Sequence, residues 1–528
     1  MKAIIGIILL LTQFTLLHAQ KTVPRDSCKT LPTDTIVPGK GTPKKQLKEI
    51  KKEKVEKPLD STGKVPVKTT LVDTIVLNKY SDLLYDDTAF NKRYPLWVHL
   101  TEVAGANVMV WSIDRDIMNA DFSMIRPTTR KYNLKKGWEW DTDRFGINFI
   151  DHTYSGTMSF NTGRANDYNF FQSASFSTAG SLMREYFGEN TSPSYNDIIN
   201  TLKNGAFLGE ILHRLSSNIL DDRTRGIQRV SREVLAGIID PIRGLNRILQ
   251  GKTFRGTNKE VYQKEHLNIS LYTGLHIVND ASTKSFASGA INKMIYIQFD
   301  YGNPFENRLR KPFDLFKLRT DFSFGAGRKI PDKITCYGIL IGTNKQLGKQ
   351  SILLSIFQYY DYIDNKTFEQ GTIAFGGGAF SKLSICKKSD LYTNIHIVFI
   401  PFAGNSTHFG PDNSQVRDYS FGAGLEAKFE STLNLGDYVS ASLIYYYYFV
   451  HTYMGLPGNN YISIFKPRVP FKMYKGFSIG LEQYVYYNNR YMNNLQGIHS
   501  TQMEQKIFIQ PYQEDKQRRG HYNLTNLC

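Results

Sequence analysis

Long hydrophobic segments are missing from this chain after its first residues. A membrane-spanning helix needs ~20 consecutive, mostly apolar residues. The nearest approach is residues 103–113, which form too short a run and follow Glu102 directly. The sequence therefore disfavours a protein that crosses a membrane with helices.

Cysteine is scarce, and familiar metal-binding patterns are missing. The 528 residues include four cysteines, too few for a disulfide scaffold. Cys28 and Cys528 fall in predicted tails, whereas Cys336 and Cys386 fall on or beside different predicted strands, and their pairing stays open. The chain has no His-Glu-x-x-His and no Cys-x-x-Cys, so we predict neither a metal site of these types nor a cofactor.

Negative charge is in the minority, since 65 Lys and Arg residues outnumber 48 Asp and Glu residues and give a formal net charge of +17. A basic chain can bind nucleic acid, but the export signal described next argues against that partner. We expect the basic surface to face outer-membrane lipid and the phosphates of lipopolysaccharide.

The N-terminus has the features of an exported protein. Residues 1–19 combine Lys2, an apolar run and a closing Ala19, as in a secretory signal peptide. Cys28 follows Arg, Asp and Ser, so lipid attachment there is not predicted. Residues 20–80 are rich in Lys and Pro without an apolar period, which indicates a disordered periplasmic linker that could bind a periplasmic partner.

The C-terminal half alternates apolar and polar residues with a period of two. In residues 419–430, Phe421, Leu425 and Phe429 alternate with Glu426, Lys428 and other polar or small residues. About twelve such runs occur within residues 262–512, and each is near the ~10 residues that cross a bilayer at a tilt. We predict an antiparallel transmembrane β-barrel in a bacterial outer membrane, inserted by the barrel-insertion machinery, with a tail at residues 513–528. Interfacial aromatics are predicted at Tyr445, Tyr446, Tyr447, Tyr448, Tyr484, Tyr486 and Tyr487.

Residues 94–252 are predicted to form a mainly helical domain. Helical periods cover residues 95–118, 173–187, 194–220 and 229–249, with breaks at Gly205 and Pro241. Residues 145–160 are predicted as one short strand. The fold class is therefore mostly β, with a barrel preceded by a helical domain and a disordered tail.

Several short motifs in the helical domain occur in a recognisable order. They are Trp-Glu-Trp-Asp from residue 138, Asn-Phe-Ile-Asp-His-Thr-Tyr-Ser-Gly from 148, Ser-Leu-Met-Arg-Glu-Tyr from 181, Pro-Ser-Tyr-Asn-Asp from 193, and Gly-Glu-Ile-Leu-His-Arg-Leu from 209. Over residues 138–250 the chain resembles a bacterial exported family known only as domain of unknown function number 3943. It departs from that family at Thr153, usually Pro, and at Arg184, usually aromatic. The resemblance implies an envelope protein and brings no reaction with it.

Ionisable residues in the helical domain are the candidate site. His152 and Ser155 could form a nucleophile and base, oriented by Glu185 or Asp197, but on a strand this spacing puts the two side chains on opposite faces. Asp197 is read more simply as part of a helix start, with Ser194 as the N-cap and Asp197 returning a bond to its backbone N–H.

A second set lies on one predicted helix. Glu210, His213, Arg214, Ser217 and Asp221 share a stripe, and a solvated face is favoured over a ligand site. Metal binding by His152, Glu185, Glu210 and His213 is a weaker alternative.

The basic helix at residues 229–249 has apolar residues from Val230 to Leu249 on one face. It is predicted either to lie on a leaflet surface or to cap the periplasmic mouth of the barrel.

The sequence is compatible with three functions. We favour a non-enzymatic outer-membrane barrel with a helical plug or cap and a role in envelope structure or solute passage. The alternative is a lipid-modifying or lipid-hydrolysing enzyme built on His152, Glu185, Asp197 and Glu210. A third possibility is an envelope scaffold that binds a partner through the Lys-rich linker.

Overall fold

The computed structural model describes most of the chain after residue 93. The described ranges are residues 94–140, 145–278, 289–325, 331–365, 368–386, 389–406, 419–435, 439–473, 476–493 and 497–511. The predicted signal peptide, the linker at residues 20–80 and the tail at residues 513–528 lie outside them. Among the described residues, no helix is both long enough and apolar enough to cross a bilayer.

The helical unit, residues 94–266, precedes the strands. Its α-helices are α1 Leu96–Asp116, α2 Pro127–Asn133, α3 His152–Ala165, α4 Phe170–Met183, α5 Tyr195–Ile199, α6 Gly205–Ile219, α7 Gly226–Ile239 and α8 Pro241–Leu249. Short 3-10 turns cover Asp121–Ser123 and Lys252–Phe254, and π-helical turns cover Ile147–Asp151, Arg184–Gly188 and Asn200–Asn204.

The strand predicted at residues 145–160 is wrong, because this segment is helical. Its β-branched threonines favour strand by propensity, but here they fit a helix by bonding to the backbone one turn back. The Thr153 hydroxyl donates to the Phe149 carbonyl oxygen at 2.7 Å, and the Thr157 hydroxyl donates to the Thr153 carbonyl oxygen at 3.0 Å. Tertiary packing therefore overrides the local preference.

Twelve antiparallel strands form a closed barrel, as the alternation predicts. The strands are β1 Leu267–Val278, β2 Ile291–Tyr301, β3 Phe316–Phe324, β4 Lys333–Leu347, β5 Gln350–Asp364, β6 Glu369–Cys386, β7 Ser389–Ser406, β8 Tyr419–Leu435, β9 Val439–Met454, β10 Gly458–Lys472, β11 Phe477–Met492 and β12 Ile498–Pro511. Each strand pairs with its sequence neighbours, and β1 closes the barrel on β12, for example through Thr273 opposite Ile509.

The two faces of each strand differ in character. On β7, Ile395, Ile397 and Phe399 are 50%, 73% and 56% exposed, whereas His396 and Val398 between them are 1% exposed. A row of exposed, apolar residues that alternates with buried ones is what a lipid-facing barrel wall requires. We call the two sides the outward wall and the lumen.

Charged side chains meet across the lumen. Arg319 on β3 donates from Nη2 to Glu430 Oε2 on β8 at 2.8 Å, and the Lys428 Nζ donates to Asp361 Oδ2 on β5 at 2.6 Å. Strands β3 and β8 are not neighbours, so this contact passes through the barrel interior. The lumen of the described strands is therefore crossed by ion pairs between opposite walls.

The predicted row of interfacial tyrosines is only partly correct. Alternation divides it, so that Tyr446, Tyr448, Tyr484 and Tyr486 are buried in the lumen, where Tyr446 donates to Glu430 Oε1 at 2.6 Å. Tyr445 and Tyr487 are exposed on the outward wall. An unbroken run of tyrosines in a strand cannot all face the membrane interface, because successive side chains point to opposite faces.

The helical unit lies against the outward wall of the barrel. Phe145 stacks on Tyr362, with ring centroids 5.3 Å apart, and the Tyr360 hydroxyl donates to the Phe149 carbonyl oxygen at 2.6 Å. Both tyrosines are on the same face of β5 as Leu354 and Ile356, which are exposed. Trp140 packs in the same way on Phe402, Phe421 and Tyr453 of β7, β8 and β9.

Two glycines allow this close approach. A Cβ atom added to Gly371 on β6 would lie 2.3 Å from the Phe149 ring, and one added to Gly404 on β7 would lie 2.6 Å from it. No carbon atom is tolerated at these separations, so the aromatic ring fits only because both positions lack a side chain.

The predicted plug is wrong for the described residues, because the helical unit packs on the outward wall and not in the lumen. The predicted cap over the periplasmic mouth stays a prediction. The apolar cluster that includes Phe145, Phe149, Phe207 and Ile211 also contains outward residues of β2 to β8, whereas the lumen cluster contains barrel residues alone. The lumen is already filled by side chains of the barrel itself. The outward wall offers the larger apolar surface.

Candidate functional site

A buried polar cluster lies where α3 begins. His152 Nε2 is 3.4 Å from Asp197 Oδ1, and both side chains are fully buried. One ligand atom each of His152, Glu185 and Glu189 lie within 4.8 Å of one another. We call these four residues, with Arg184, the His152 cluster.

The start of α5 helps to fix the acids of this cluster. Ser194 caps α5 by accepting a hydrogen bond from the Asp197 backbone N–H at 3.3 Å, which confirms the predicted N-cap. The sequence predicted that the Ser194 backbone N–H donates to the Asp197 carboxylate. In the structure this N–H donates instead to Glu185 Oε2 at 2.8 Å. Glu185 is thereby held beside His152 by the cap of a neighbouring helix.

Arg184 connects the cluster to further acids. It donates to Glu189 Oε1 at 2.8 Å, to Asp151 Oδ2 at 2.7 Å and to Asp114 Oδ2 at 3.3 Å. Burial, together with the nearby Asp151 carboxylate, raises the pKa of Asp114 to about 6 despite the Arg184 charge. Three carboxylates thus share one buried guanidinium.

Irregular helix geometry surrounds the His152 cluster. The π-helical turn Ile147–Asp151 leads into His152, and the turn Arg184–Gly188 carries Arg184 and Glu185. Single π-turns inside helices re-aim side chains and occur often at functional sites. Here two of them bring residues more than thirty positions apart into one cluster.

A second buried cluster lies toward the other end of α3. Glu210 on α6 accepts from Arg164 Nη2 at 3.2 Å and from Arg214 Nε at 2.8 Å, and its other carboxylate oxygen lies 2.7 Å from Arg164 Nε. Arg214 also donates to Asp314 Oδ1 at 3.0 Å in the segment between β2 and β3. We call Glu210, Arg164, Arg214 and Asp314 the Glu210 cluster, which ties the helical unit to the barrel.

His213 is next to this cluster and is paired with an acid. Its Nδ1 lies 3.6 Å from Asp240 Oδ2, and Asp240 caps α8 by accepting from the Arg243 backbone N–H at 3.0 Å. Burial, reinforced by Arg243, holds the pKa of His213 well below its usual value. Burial raises the pKa of Asp240 to about 6.

The predicted candidates therefore divide into two groups. His152, Glu185 and Asp197 come together, whereas Glu210 and His213 do not join them, because Arg164 lies twelve residues along α3 from His152, a rise of about 18 Å. The prediction of a solvated face on α6 is wrong, since Glu210, His213, Arg214, Ser217 and Asp221 are all buried.

Three acids were not predicted from the sequence: Glu189, which belongs to the His152 cluster, and the Arg184 partners Asp151 and Asp114. Arg184 was the one sequence feature that pointed to these acids, because it departs from the family pattern. An arginine on a helix with few other charges needs buried acids as partners. Their positions along the chain gave no further indication.

The arrangement offers an imidazole nitrogen and two carboxylates to a cation. These donor types suit zinc and related ions. Each of the two carboxylates already accepts a hydrogen bond, Glu189 from Arg184 and Glu185 from the Ser194 backbone N–H. The same imidazole and carboxylates could equally share protons among themselves.

One serine matches a hydrolase pattern without its structural setting. Gly476, Ser478 and Gly480 form Gly-x-Ser-x-Gly, but Ser478 lies on β11, which runs on as a strand to Met492. A nucleophile elbow requires a sharp turn from strand to helix, so this match does not indicate a hydrolase site.

The comparisons with known proteins agree with the division into helical unit and barrel. The family model for a domain of unknown function, DUF3943, matches residues 137–242, as the motifs predict. No curated protein matches the chain. The barrel lies C-terminal to the matched segment.

Among solved structures, the NanC porin matches with 7% identity and a TM-score of 0.27, covering 46% of this chain and 100% of the porin chain. The outer membrane channel DcaP of Acinetobacter baumannii matches with 7% identity and a TM-score of 0.21, covering 47% and 97%. The anion-selective porin from Comamonas acidovorans matches with 8% identity and a TM-score of 0.22, covering 47% and 99%. The pairing of its own strands defines the closed barrel.

Proposed function

We propose that the protein is a non-enzymatic outer-membrane barrel with a structural role in the bacterial envelope, in which the barrel anchors the helical unit. One observation carries this proposal. The ion pairs across the lumen fill the route that a solute would take, while the helical unit is held on the outward wall by aromatic packing. Solute passage is the less favoured of the two predicted roles, because Arg319, Glu430 and Lys428 would first have to separate.

The enzyme alternative has less support. It grouped Glu210 with His152, Glu185 and Asp197, but Glu210 is ion-paired with Arg164 and Arg214 in the other cluster. An acid that neutralises two buried arginines is poorly suited to proton transfer. Outer-membrane lipid, lipopolysaccharide and the barrel-insertion machinery remain the partners that we propose, with a periplasmic partner for the Lys-rich linker.

The lengths of the strand connections support a periplasmic position for the N-terminal region. At the end of the barrel where β1 begins and β12 ends, residues 348–349, 387–388, 436–438 and 473–476 make short connections, with 302–315 as the exception. At the opposite end residues 279–290, 325–332 and 407–418 are longer connections, and residues 365–368, 455–457 and 493–497 are short ones. Outer-membrane barrels have short periplasmic turns and longer extracellular loops.

Conductance in planar bilayers tests the anchoring role. We expect the wild-type protein to conduct ions weakly, and the double variant Arg319→Ala, Glu430→Ala to conduct more strongly because it opens the lumen. The variant Lys345→Ala, at an exposed position near the end of β4, is the matched control and should behave as wild type. A wild-type conductance equal to that of the double variant would favour solute passage instead.

A further inference from the structure

We infer that the exposed faces of α1, α4 and α7 contact the acyl chains of membrane lipid, so that the helical unit is embedded in the bilayer beside the barrel. This inference rests on the proposed function, because it requires the barrel to be in a membrane. Three features of the described residues support it. They are the position of the helical unit on the wall, the composition of its exposed faces, and the burial of its charges.

The surface covered by helices is continuous with the exposed outward wall. On β5, Tyr360 and Tyr362 are covered, whereas Ile356 on the same face is 51% exposed. Four residues of strand separate Ile356 from Tyr360, about 13 Å. On β8, Phe421 is covered and Leu425 is exposed in the same way. Lipid that covers the exposed part of these strands must therefore also meet the helical unit.

Helix α7 has its apolar residues outside and its charges inside. Ile227, Val230, Val234, Leu235 and Ile238 are between 53% and 83% exposed. These positions follow the spacing of one helix face. A surface helix in water has the opposite arrangement, with charges outside, whereas this one suits an apolar solvent.

Two of the three charged residues of α7, Arg229 and Glu233, are ion-paired, and the third, Arg232, donates to the Ile219 carbonyl oxygen at 2.7 Å. Arg229 is 2.8 Å from Asp222 and 2.8 Å from Glu233, and Glu233 is also 2.7 Å from Arg247 of α8. An unpaired charge in hydrocarbon is costly. A helical unit in lipid is therefore expected to bury its charges in pairs and to expose its aliphatic side chains.

Helices α1 and α4 present uncharged surfaces. Phe170–Met183 contains no charged residue, and Phe171 is 71% exposed. Along α1 from Leu96 to Ile113 the only acid or base besides His99 is Glu102, whose carboxylate accepts bonds from Asn166 and Asn246 inside the unit. Trp97 on this helix is 66% exposed.

Exposed charges resume at the C-terminal end of α1 and continue beyond it. They include Arg115, Asp116, Asp121, Arg126, Arg130 and Lys131. An uncharged surface bounded by charged residues is the pattern of a segment that passes from hydrocarbon to the headgroup region. The charge distribution and the packing on the wall are independent observations, and both indicate that the helical unit contacts lipid.

Tryptophan quenching by lipids with brominated acyl chains tests this inference, because bromine quenches only rings that it can contact. The four tryptophans of the chain, Trp97, Trp111, Trp138 and Trp140, all lie in the helical unit. We expect brominated vesicles to quench the full-length protein, and Trp97→Phe to remove the largest part of that quenching. Val234→Trp, on the exposed face of α7, should add quenched fluorescence.

Two further variants separate the possible results. Leu481→Trp places a probe on the uncovered outward wall of β11, and Tyr132→Trp places one among the exposed charges of α2. We expect the first to be quenched and the second to be unaffected.

Quenching at residue 481 without quenching at residues 97 and 234 would overturn the inference while leaving the barrel in the membrane. A second copy or another protein would then cover these faces. No quenching at any of the three positions would overturn the proposed function as well.

Discussion

At the scale of single residues, Asp240 couples the stability of the helical unit to pH. Its folded-state pKa of about 6 is above the ordinary value of 3.8, so the folded protein holds this proton more tightly than the unfolded one. The stabilisation is complete below pH 4 and is lost as the pH rises through 6, by up to about 3 kcal/mol. We expect the melting temperature, followed by tryptophan fluorescence, to fall over that window.

The variant Asp240→Asn keeps a side-chain oxygen that can cap α8 and removes the titration. Its melting temperature should change less between pH 4 and pH 7 than that of wild type. Equal changes in the two proteins would show that Asp240 is not the group responsible. Groups distant from Asp240 titrate alike in both proteins, so the difference comes from Asp240 and its neighbour His213.

Gly371 makes a matched pair with Gly377 on the same face of β6. A leucine at position 371 meets the Phe149 ring, whereas nothing lies within 4 Å of a Cβ at Gly377. We expect Gly371→Leu to destabilise the docking of the helical unit by about 1–3 kcal/mol and Gly377→Leu to have little effect. Melting of tryptophan fluorescence measures the docking, and heat-modifiable migration in gels shows whether the barrel is intact.

At the scale of elements, α6 is joined to the β2–β3 connection through Glu210 and Arg214. Glu210→Gln leaves two buried arginines short of a counter-charge and should cost about 3 kcal/mol. Glu139→Gln removes an exposed partner of Lys136, 3.0 Å away, and should cost about 0–1 kcal/mol. Melting curves of the two variants should therefore separate clearly, and similar curves would mean that the Glu210 cluster does not hold α6 in place.

The elements were predictable where one periodicity decides the structure. Strand alternation in residues 419–430 correctly assigns Leu425 to the outward wall and Glu426 and Lys428 to the lumen, because side chains of a strand must alternate between the two faces. Helix α3 was predicted as a strand because threonine and glycine in this segment oppose helix by propensity. These small residues are needed, since α3 is enclosed on almost every side.

The packing of elements was not predictable from the same patterns. A tyrosine such as Tyr360 on the outward face of a strand has the same sequence signature whether it meets lipid headgroups or a helix. The His152 cluster was predictable in part, since His152, Glu185 and Asp197 stand out as ionisable residues within family motifs. Glu189 and Asp114 depend on the π-helical turns and on Arg184, which sequence periodicity does not reveal.

At the scale of the whole molecule, the direction of insertion can be measured. Single cysteines at exposed positions 493 and 349, introduced as Asn493→Cys and Lys349→Cys with the native cysteines changed to Ser, lie at opposite ends of the barrel. A membrane-impermeant maleimide added to intact cells should label the first and not the second. The reverse result would put the N-terminal region outside the cell.

The one-sided attachment of the helices gives this protein a direction within the plane of the membrane. Helices cover parts of β2 to β9, whereas outward residues such as Leu275, Phe465, Leu481 and Ile507 of the remaining strands are uncovered. The ring of boundary lipid around a plain barrel is the same on every side, but here a neighbour meets helices on one side and strands on the other. A molecule of this kind can be oriented by its neighbours as well as inserted among them.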